Sequence, residues 1–222
     1  ATDDRGNSIY GVNFASQDYL SMSSHPAIKE VALETIKTYG VHSAGSSALV
    51  GNTNLSVELE RRLAAYLKME EGILYPTGWA AGYGVIKGLV RASDHIVMDT
   101  LSHVCLQEGA NAATRNIHQF RHLDVEHCRT KLESIRAKDT EHGILVVTEG
   151  LFSMDSDTPN IAAMQELCNE FGATLVVDVA HDFGALGDGT GHIGVQNMLG
   201  KVDIVMGSFS KTFASNGGFV AC

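Results

Sequence analysis

The sequence predicts an α/β fold in which a mostly parallel sheet is covered by helices on both faces. After Gly72, short β-like apolar runs alternate with helical runs, which is the pattern of such folds. The 222 residues include 44% hydrophobic residues and 23 glycines, a composition that suits one large domain with a sizeable core. No repeat or low-complexity linker interrupts this pattern.

The individual elements follow from periodicity and from residues typical of helix ends. Pro26 and Gly40 predict a helix over about 24–39, followed by a loop over 40–54 that is rich in glycine and serine. The next helix has Ser56 as its expected N-cap. Further strands are predicted at 73–75, 95–98, 117–120, 144–148, 174–179, 202–206 and, still unfinished at Cys222, 217–222. Further helices are predicted from about 78, from about 102, over 124–137 and over 160–171.

Composition excludes several classes of function. The net charge of −10 argues against a general attraction to nucleic acid or to an anionic membrane, and no apolar run approaches the ~20 residues that span a bilayer. The four scattered cysteines form no C-x-x-C pair, so we expect a reduced, cytoplasmic protein. His122 and His127 lack metal-ligand spacing, so we expect them to be surface or structural residues and predict no metal.

Three polar side chains follow predicted strands, where ligands of open sheets gather. Asp178 ends an apolar run and needs a cation or donors there, although a helix cap or a satisfied core aspartate is the commoner interpretation. His181 lies three residues on and favours a site. Lys211 is either a solvated surface charge or a buried amine suited to Schiff-base chemistry.

Three further segments also connect strands to helices. Gly78 and Trp79 stand where a helix begins, so their N–H groups could bind a phosphate, although glycine is common at such turns. His103 could lie flat on an aromatic ligand, but a single histidine is more often structural. Ser153 could donate a hydrogen bond into the same space, or it could cap a helix.

Taken together, these segments resemble the α-oxoamine synthase family of fold-type-I pyridoxal-phosphate (PLP) enzymes. Their order and spacing carry the resemblance, which covers nearly the whole chain and is closest to the serine palmitoyltransferase-like branch. The matching segments are Asn13-Phe-Ala-Ser-Gln-Asp-Tyr-Leu20, Thr77-Gly-Trp-Ala-Ala81, Leu101-Ser-His103, Phe152-Ser-Met-Asp155, Val177-Asp-Val-Ala-His181 and Gly207-Ser-Phe-Ser-Lys-Thr212.

The resemblance implies PLP as cofactor and a role for each of these residues. Lys211 would form the Schiff base and later remove the Cα proton, and Asp178 would keep the pyridine nitrogen protonated. His103 would stack on the ring, while His181 and Ser153 would contact its phenolic oxygen. The backbone of Gly78 and Trp79, together with Ser208, would hold the phosphate.

The implied reaction condenses serine, alanine or glycine with an acyl-CoA or another acyl thioester, with loss of carbon dioxide, to give an α-aminoketone. Family members are homodimers, and we expect the same here. Residues 1–55 would lead into a PLP-binding large domain, 56–222, whose small C-terminal partner domain and carboxylate-binding arginine would lie beyond Cys222. The alternatives are another fold-type-I enzyme such as an aminotransferase, or a non-catalytic synthase subunit, which typically lacks the lysine found at 211.

Overall fold

The computed structural model describes residues 2–12 and 14–222, so Asn13 of the N-terminal motif lies outside the described residues. A seven-stranded sheet has the order β1-β7-β6-β5-β4-β2-β3. Strands β2 to β6 run parallel, and β7 is antiparallel to both of its neighbours. The strands are β1 (Gly72–Tyr75), β2 (His95–Asp99), β3 (Ile117–Phe120), β4 (Ile144–Glu149), β5 (Thr174–Asp178), β6 (Ile204–Ser208) and β7 (Gly218–Ala221).

The α-helices alternate with these strands as the sequence predicts, with one addition. They are α1 (Pro26–Tyr39), α2 (Asn54–Leu67), α3 (Gly78–Leu89), α4 (Val104–Ala113), α5 (Val125–Arg136), α6 (Ile161–Phe171) and α7 (Gly191–Val195). Helix α7 was not predicted, because five residues that include two glycines are too short to show a helical period.

Two local predictions are corrected. The N-cap of α2 is Thr53, not Ser56: Ser56 N donates to Thr53 Oγ1 at 3.2 Å, and Thr53 N donates to Ser56 Oγ at 2.8 Å. Ser56 therefore completes a reciprocal capping box from the third helical position. The strand predicted at 202–206 begins at Ile204 and continues to Ser208, because Gly207 and Ser208 extend the ladder to β7.

The core lies on both faces of the sheet, which confirms the predicted fold class. Helices α2, α5 and α6 cover one face, where Leu132 and Leu167 are buried. Helices α3 and α4 cover the other face, where Ile86 and Leu106 are buried. Each such side chain contributes roughly 1.5–3 kcal/mol through its burial.

The N-terminal part contributes little to this core. Among the described residues, none before Leu63 is buried, and α1 leaves Val31 and Leu33 about 60% exposed. No helix in the described part of the chain is long and apolar enough to cross a bilayer. The division into residues 1–55 and 56–222 stays a prediction.

Strand register determines which side chains meet at the carboxyl edge of the sheet. Asp178 pairs with Glu149 on one side and with Met206 on the other. Gly218 of β7 pairs with Tyr75 on one side and with Ser208 on the other. The carboxyl ends of β1 and β6 therefore flank Gly218.

Candidate active site

A cavity of about 260 Å³ opens at the carboxyl edge of the sheet, and it brings together residues from five strand ends. Seven of the eight predicted site residues line it: Gly78, Trp79, His103, Asp178, His181, Ser208 and Lys211. Ligands of open α/β sheets bind at this edge.

One wall of the cavity is the N-terminus of α3. Thr77 caps the helix, and its Oγ1 accepts a 3.0 Å hydrogen bond from Ala80 N. No described residue accepts a hydrogen bond from the N–H groups of Gly78 or Trp79. Free N–H groups at the positive end of a helix dipole form a site for an anion.

Two serine hydroxyls complete this wall. Ser208 Oγ and Ser210 Oγ lie 2.7 Å apart beside the helix N-terminus. A Cβ atom on Gly78 would lie only 2.3 Å from Ser208 Cβ, so the close approach of α3 to β6 requires glycine at position 78. Backbone N–H groups and hydroxyls together suit a phosphate.

Asp178 also lines the cavity and is 5% exposed. Its Oδ1 accepts a 2.9 Å hydrogen bond from Ala180 N, and Oδ2 has no partner among the described residues. Burial raises the pKa of Asp178, while Ala180 N and the Lys211 charge oppose that shift. A cationic ring nitrogen is a partner that would satisfy the free oxygen.

Lys211 lines the same cavity and is half-buried. No hydrogen bond or ion pair to its ammonium group is found in the described part of the chain. Burial lowers the pKa of His103 and lowers the pKa of His181 to about 4. The positive charge of Lys211 is a second, smaller cause of both shifts. Both imidazoles are therefore neutral near pH 7.

Each histidine is oriented by its own contacts. His103 caps α4, where its Nδ1 accepts a 3.2 Å hydrogen bond from Cys105 N. The imidazole Nδ1 of His181 lies 2.8 Å from the Tyr19 hydroxyl, which brings the N-terminal segment to the site.

Ser153 is the predicted site residue that the cavity does not include. It lies in an exposed turn after β4 and is not part of the cavity lining. The contact implied for it stays a prediction.

Sequence reasoning missed Glu149 and Tyr19. Glu149 lines the cavity and is 4% exposed, and its position at the end of β4 was the available signal. Tyr19 belongs to the N-terminal motif, but nothing local indicates a partner 162 residues away.

His122, expected to be a surface or structural residue, connects three segments of the chain through two carboxylates. Its Nδ1 lies 2.9 Å from Asp99 Oδ1 and its Nε2 lies 3.1 Å from Asp157 Oδ2. Asp99 is fully buried and also accepts from the N–H groups of Leu101 and Leu123. His122 thus anchors the loop after β4, which carries Ser153.

These features fit pyridoxal phosphate. The helix N-terminus with two hydroxyls suits its phosphate, the free oxygen of buried Asp178 suits its ring nitrogen, and the Lys211 amine can reach an aldehyde in the same cavity.

Fold and site define a class of α/β proteins with a lysine in a cavity at the carboxyl edge of a mostly parallel sheet. The chain belongs to the aminotransferase class I and II family, which matches residues 10–222.

Curated relatives place the chain more closely. It is 37% identical over 219 residues to 8-amino-7-oxononanoate synthase of Pectobacterium atrosepticum, covering 98% of this chain and 55% of that protein. It is 35% identical over 209 residues to serine palmitoyltransferase of Sphingobacterium spiritivorum, covering 94% and 52%. The chain thus spans about half the length of the curated relatives it matches. Both relatives are α-oxoamine synthases, which confirms the predicted relationship.

Solved structures agree. Sphingomonas wittichii serine palmitoyltransferase superposes with a TM-score of 0.87 at 30% identity, covering 93% of this chain and 51% of that one. The S. paucimobilis enzyme, solved with a bound PLP–myriocin aldimine, has a TM-score of 0.87 at 29% identity and the same coverage.

Proposed function

We propose that the protein is a PLP-dependent α-oxoamine synthase that condenses a small amino acid with an acyl thioester. The products would be an α-aminoketone, carbon dioxide and the free thiol. The observation that carries this proposal is one cavity lined by the free Lys211 amine, the buried Asp178 carboxylate and an anion-binding helix N-terminus.

Lys211 and Asp178 have the central roles in this proposal. When bound, pyridoxal phosphate accepts the electron pair left on the α-carbon of an amino acid. Asp178 keeps a positive charge on the ring nitrogen, because its buried carboxylate has one oxygen free to pair with it. Lys211 Nζ would hold the cofactor covalently and would accept the proton from the α-carbon of the amino acid.

The remaining lining residues orient the reactants. The N–H groups of Gly78 and Trp79 hold the phosphate. His103, neutral and fixed at the start of α4, would stack its imidazole on the ring. His181, neutral and in contact with Tyr19, would present its other ring nitrogen to the phenolic oxygen.

The substrate class comes from the relatives and not from this cavity alone. We propose serine, alanine or glycine with acyl-CoA, or an acyl carrier thioester, as the reactants.

A homodimer is also proposed, supported by the apolar side chains of Val31 and Leu33 on α1, a helix that buries none of its residues. Sedimentation of the active protein at monomer mass would refute the dimer. The reduced cysteines are consistent with a cytoplasmic location, which remains a proposal.

Transamination is the alternative activity, because the matching family takes its name from aminotransferases. The two reactions differ in their products. Incubation with acyl-CoA and a carboxyl-labelled amino acid would release labelled carbon dioxide in a synthase, whereas a keto acid without carbon dioxide would favour transamination. A non-catalytic subunit would do neither.

Borohydride reduction tests the role of Lys211. The full chain with PLP should incorporate cofactor irreversibly on reduction, and peptide mapping should place it on Lys211. Lys211→Ala should abolish incorporation, while the control Lys201→Ala, an exposed lysine outside the cavity lining, should not. Incorporation that survives Lys211→Ala unchanged would refute the assignment.

A further inference from the structure

Glu149 is the second carboxyl group of the cavity, and the proposed chemistry does not use it. It ends β4 directly opposite Asp178 on β5, and both side chains are almost fully buried. Its Oε1 accepts a 2.6 Å hydrogen bond from the backbone N–H of His103. Glu149 therefore contacts His103, whose imidazole is proposed to stack on the cofactor ring. It also lies beside Asp178, the carboxylate proposed to pair with the ring nitrogen.

We propose that Glu149 is a positioning residue that acts as a neutral carboxylic acid: it fixes His103 against the cavity and leaves the carboxylate charge to Asp178. This inference rests on the proposed function, because His103 and Asp178 take their roles from it. Glu149 itself is assigned no contact with substrate or cofactor.

The surrounding charges favour a neutral Glu149. Adjacent strands lie about 4.8 Å apart, and two buried carboxyl groups at that spacing do not both ionise readily. Asp99 adds negative charge from β2, and Cys105 faces Glu149 from α4 as a thiol whose pKa burial raises to about 12. Lys211 is the one lysine or arginine among the described residues that line the cavity.

The proton belongs on Glu149 and not on Asp178. Burial and then the Asp178 charge raise the pKa of Glu149 to about 9, against the hydrogen bond from His103 N and the attraction of Lys211. Lys211 attracts both carboxylates, but burial raises the pKa of Asp178 only to about 6, and Asp178 keeps a free oxygen for a ring cation. A buried acid held neutral beside a charged group is an established way to divide such roles.

The protonation state can be tested without cofactor. Glu149→Gln keeps an oxygen that accepts from His103 N but cannot ionise. A carboxyl group with a raised pKa in the folded state destabilises the fold increasingly as pH rises above its unfolded value of about 4.3. The melting temperature of Glu149→Gln, relative to the native chain, should therefore rise by roughly 3 °C or more between about pH 5 and about pH 8.

The matched control is Glu166→Gln on the exposed side of α6, which should show no such trend. A flat or falling difference for Glu149→Gln, or failure of this variant to fold, would overturn the proposal, because either result means that the native state needs a charged carboxylate.

The positioning role is tested with PLP bound, using the visible circular dichroism that an asymmetric site induces in the cofactor. Glu149→Gln should keep this signal, and Glu149→Ala should lose as much of it as His103→Ala does. The double variant should lose no more than either single variant, because both changes remove the same contact. Additive losses would overturn the proposal. Failure of the proposed function is distinguishable, since it would remove the Lys211-dependent signal from the native chain itself.

Discussion

Replacing Gly78 with alanine should weaken both the fold and the phosphate site. The new Cβ would lie 2.3 Å from Ser208 Cβ and 2.4 Å from Ser208 Oγ, so α3 and β6 must separate by about 1 Å to restore ordinary contact. Overpacking of this kind costs roughly 1–3 kcal/mol of unfolding free energy. The N–H groups of Gly78 and Trp79 would move with the helix, which should raise the Kd for PLP about tenfold or more.

Gly88 in the last turn of the same helix is the matched control. A Cβ there meets nothing within 4 Å, so Gly88→Ala should stabilise the chain by roughly 0.5–1 kcal/mol and leave PLP binding unchanged. Urea unfolding gives both stabilities, and quenching of Trp79, the one tryptophan of the chain, reports PLP binding. If Gly78→Ala is as stable as the native chain and binds PLP equally well, the close-packed phosphate site is refuted.

Three further changes test other parts of the site. Asp178→Asn should lower kcat about 10²–10³-fold while PLP still binds, because only the charge beside the ring nitrogen is lost; unchanged kcat would contradict its role. Burial alone would lower the pKa of His122, but its bonds to Asp99 and Asp157 raise it. The stability advantage of the native chain over His122→Gln should therefore be largest below about pH 6.5 and shrink as pH rises, whereas a constant advantage would exclude a charged His122. Thr77→Ala should cost about 1 kcal/mol in urea unfolding through loss of the α3 cap, and no loss would show that the cap is dispensable.

Most of the fold was predictable because its signals are local. Pro26 and Gly40 delimit α1, and apolar runs mark the parallel strands. Helix α7 could not be predicted, because its conformation depends on a tertiary contact in which His192 N donates to the buried Asp182 at 2.7 Å.

The site was predictable to the extent that strand ends identify it. Asp178 and Lys211 follow strands, and parallel topology brings such positions to one edge. Glu149 also ends a strand, but its burial opposite a second carboxylate depends on register, which one sequence does not specify. The exposed position of Ser153 likewise depends on the course of the loop after β4, which is tied down by His122 through Asp157.

The position of β7 in the sheet has a consequence for how the protein is made. Strand β1 has β7 as its one strand partner in the described sheet, and roughly 145 residues separate the two along the chain. During synthesis on the ribosome, β1 (residues 72–75) therefore stays without a strand partner until β7 (residues 218–221) has emerged. Such distant pairing slows folding, and the nascent polypeptide keeps an unpaired strand edge until β7 has been synthesised.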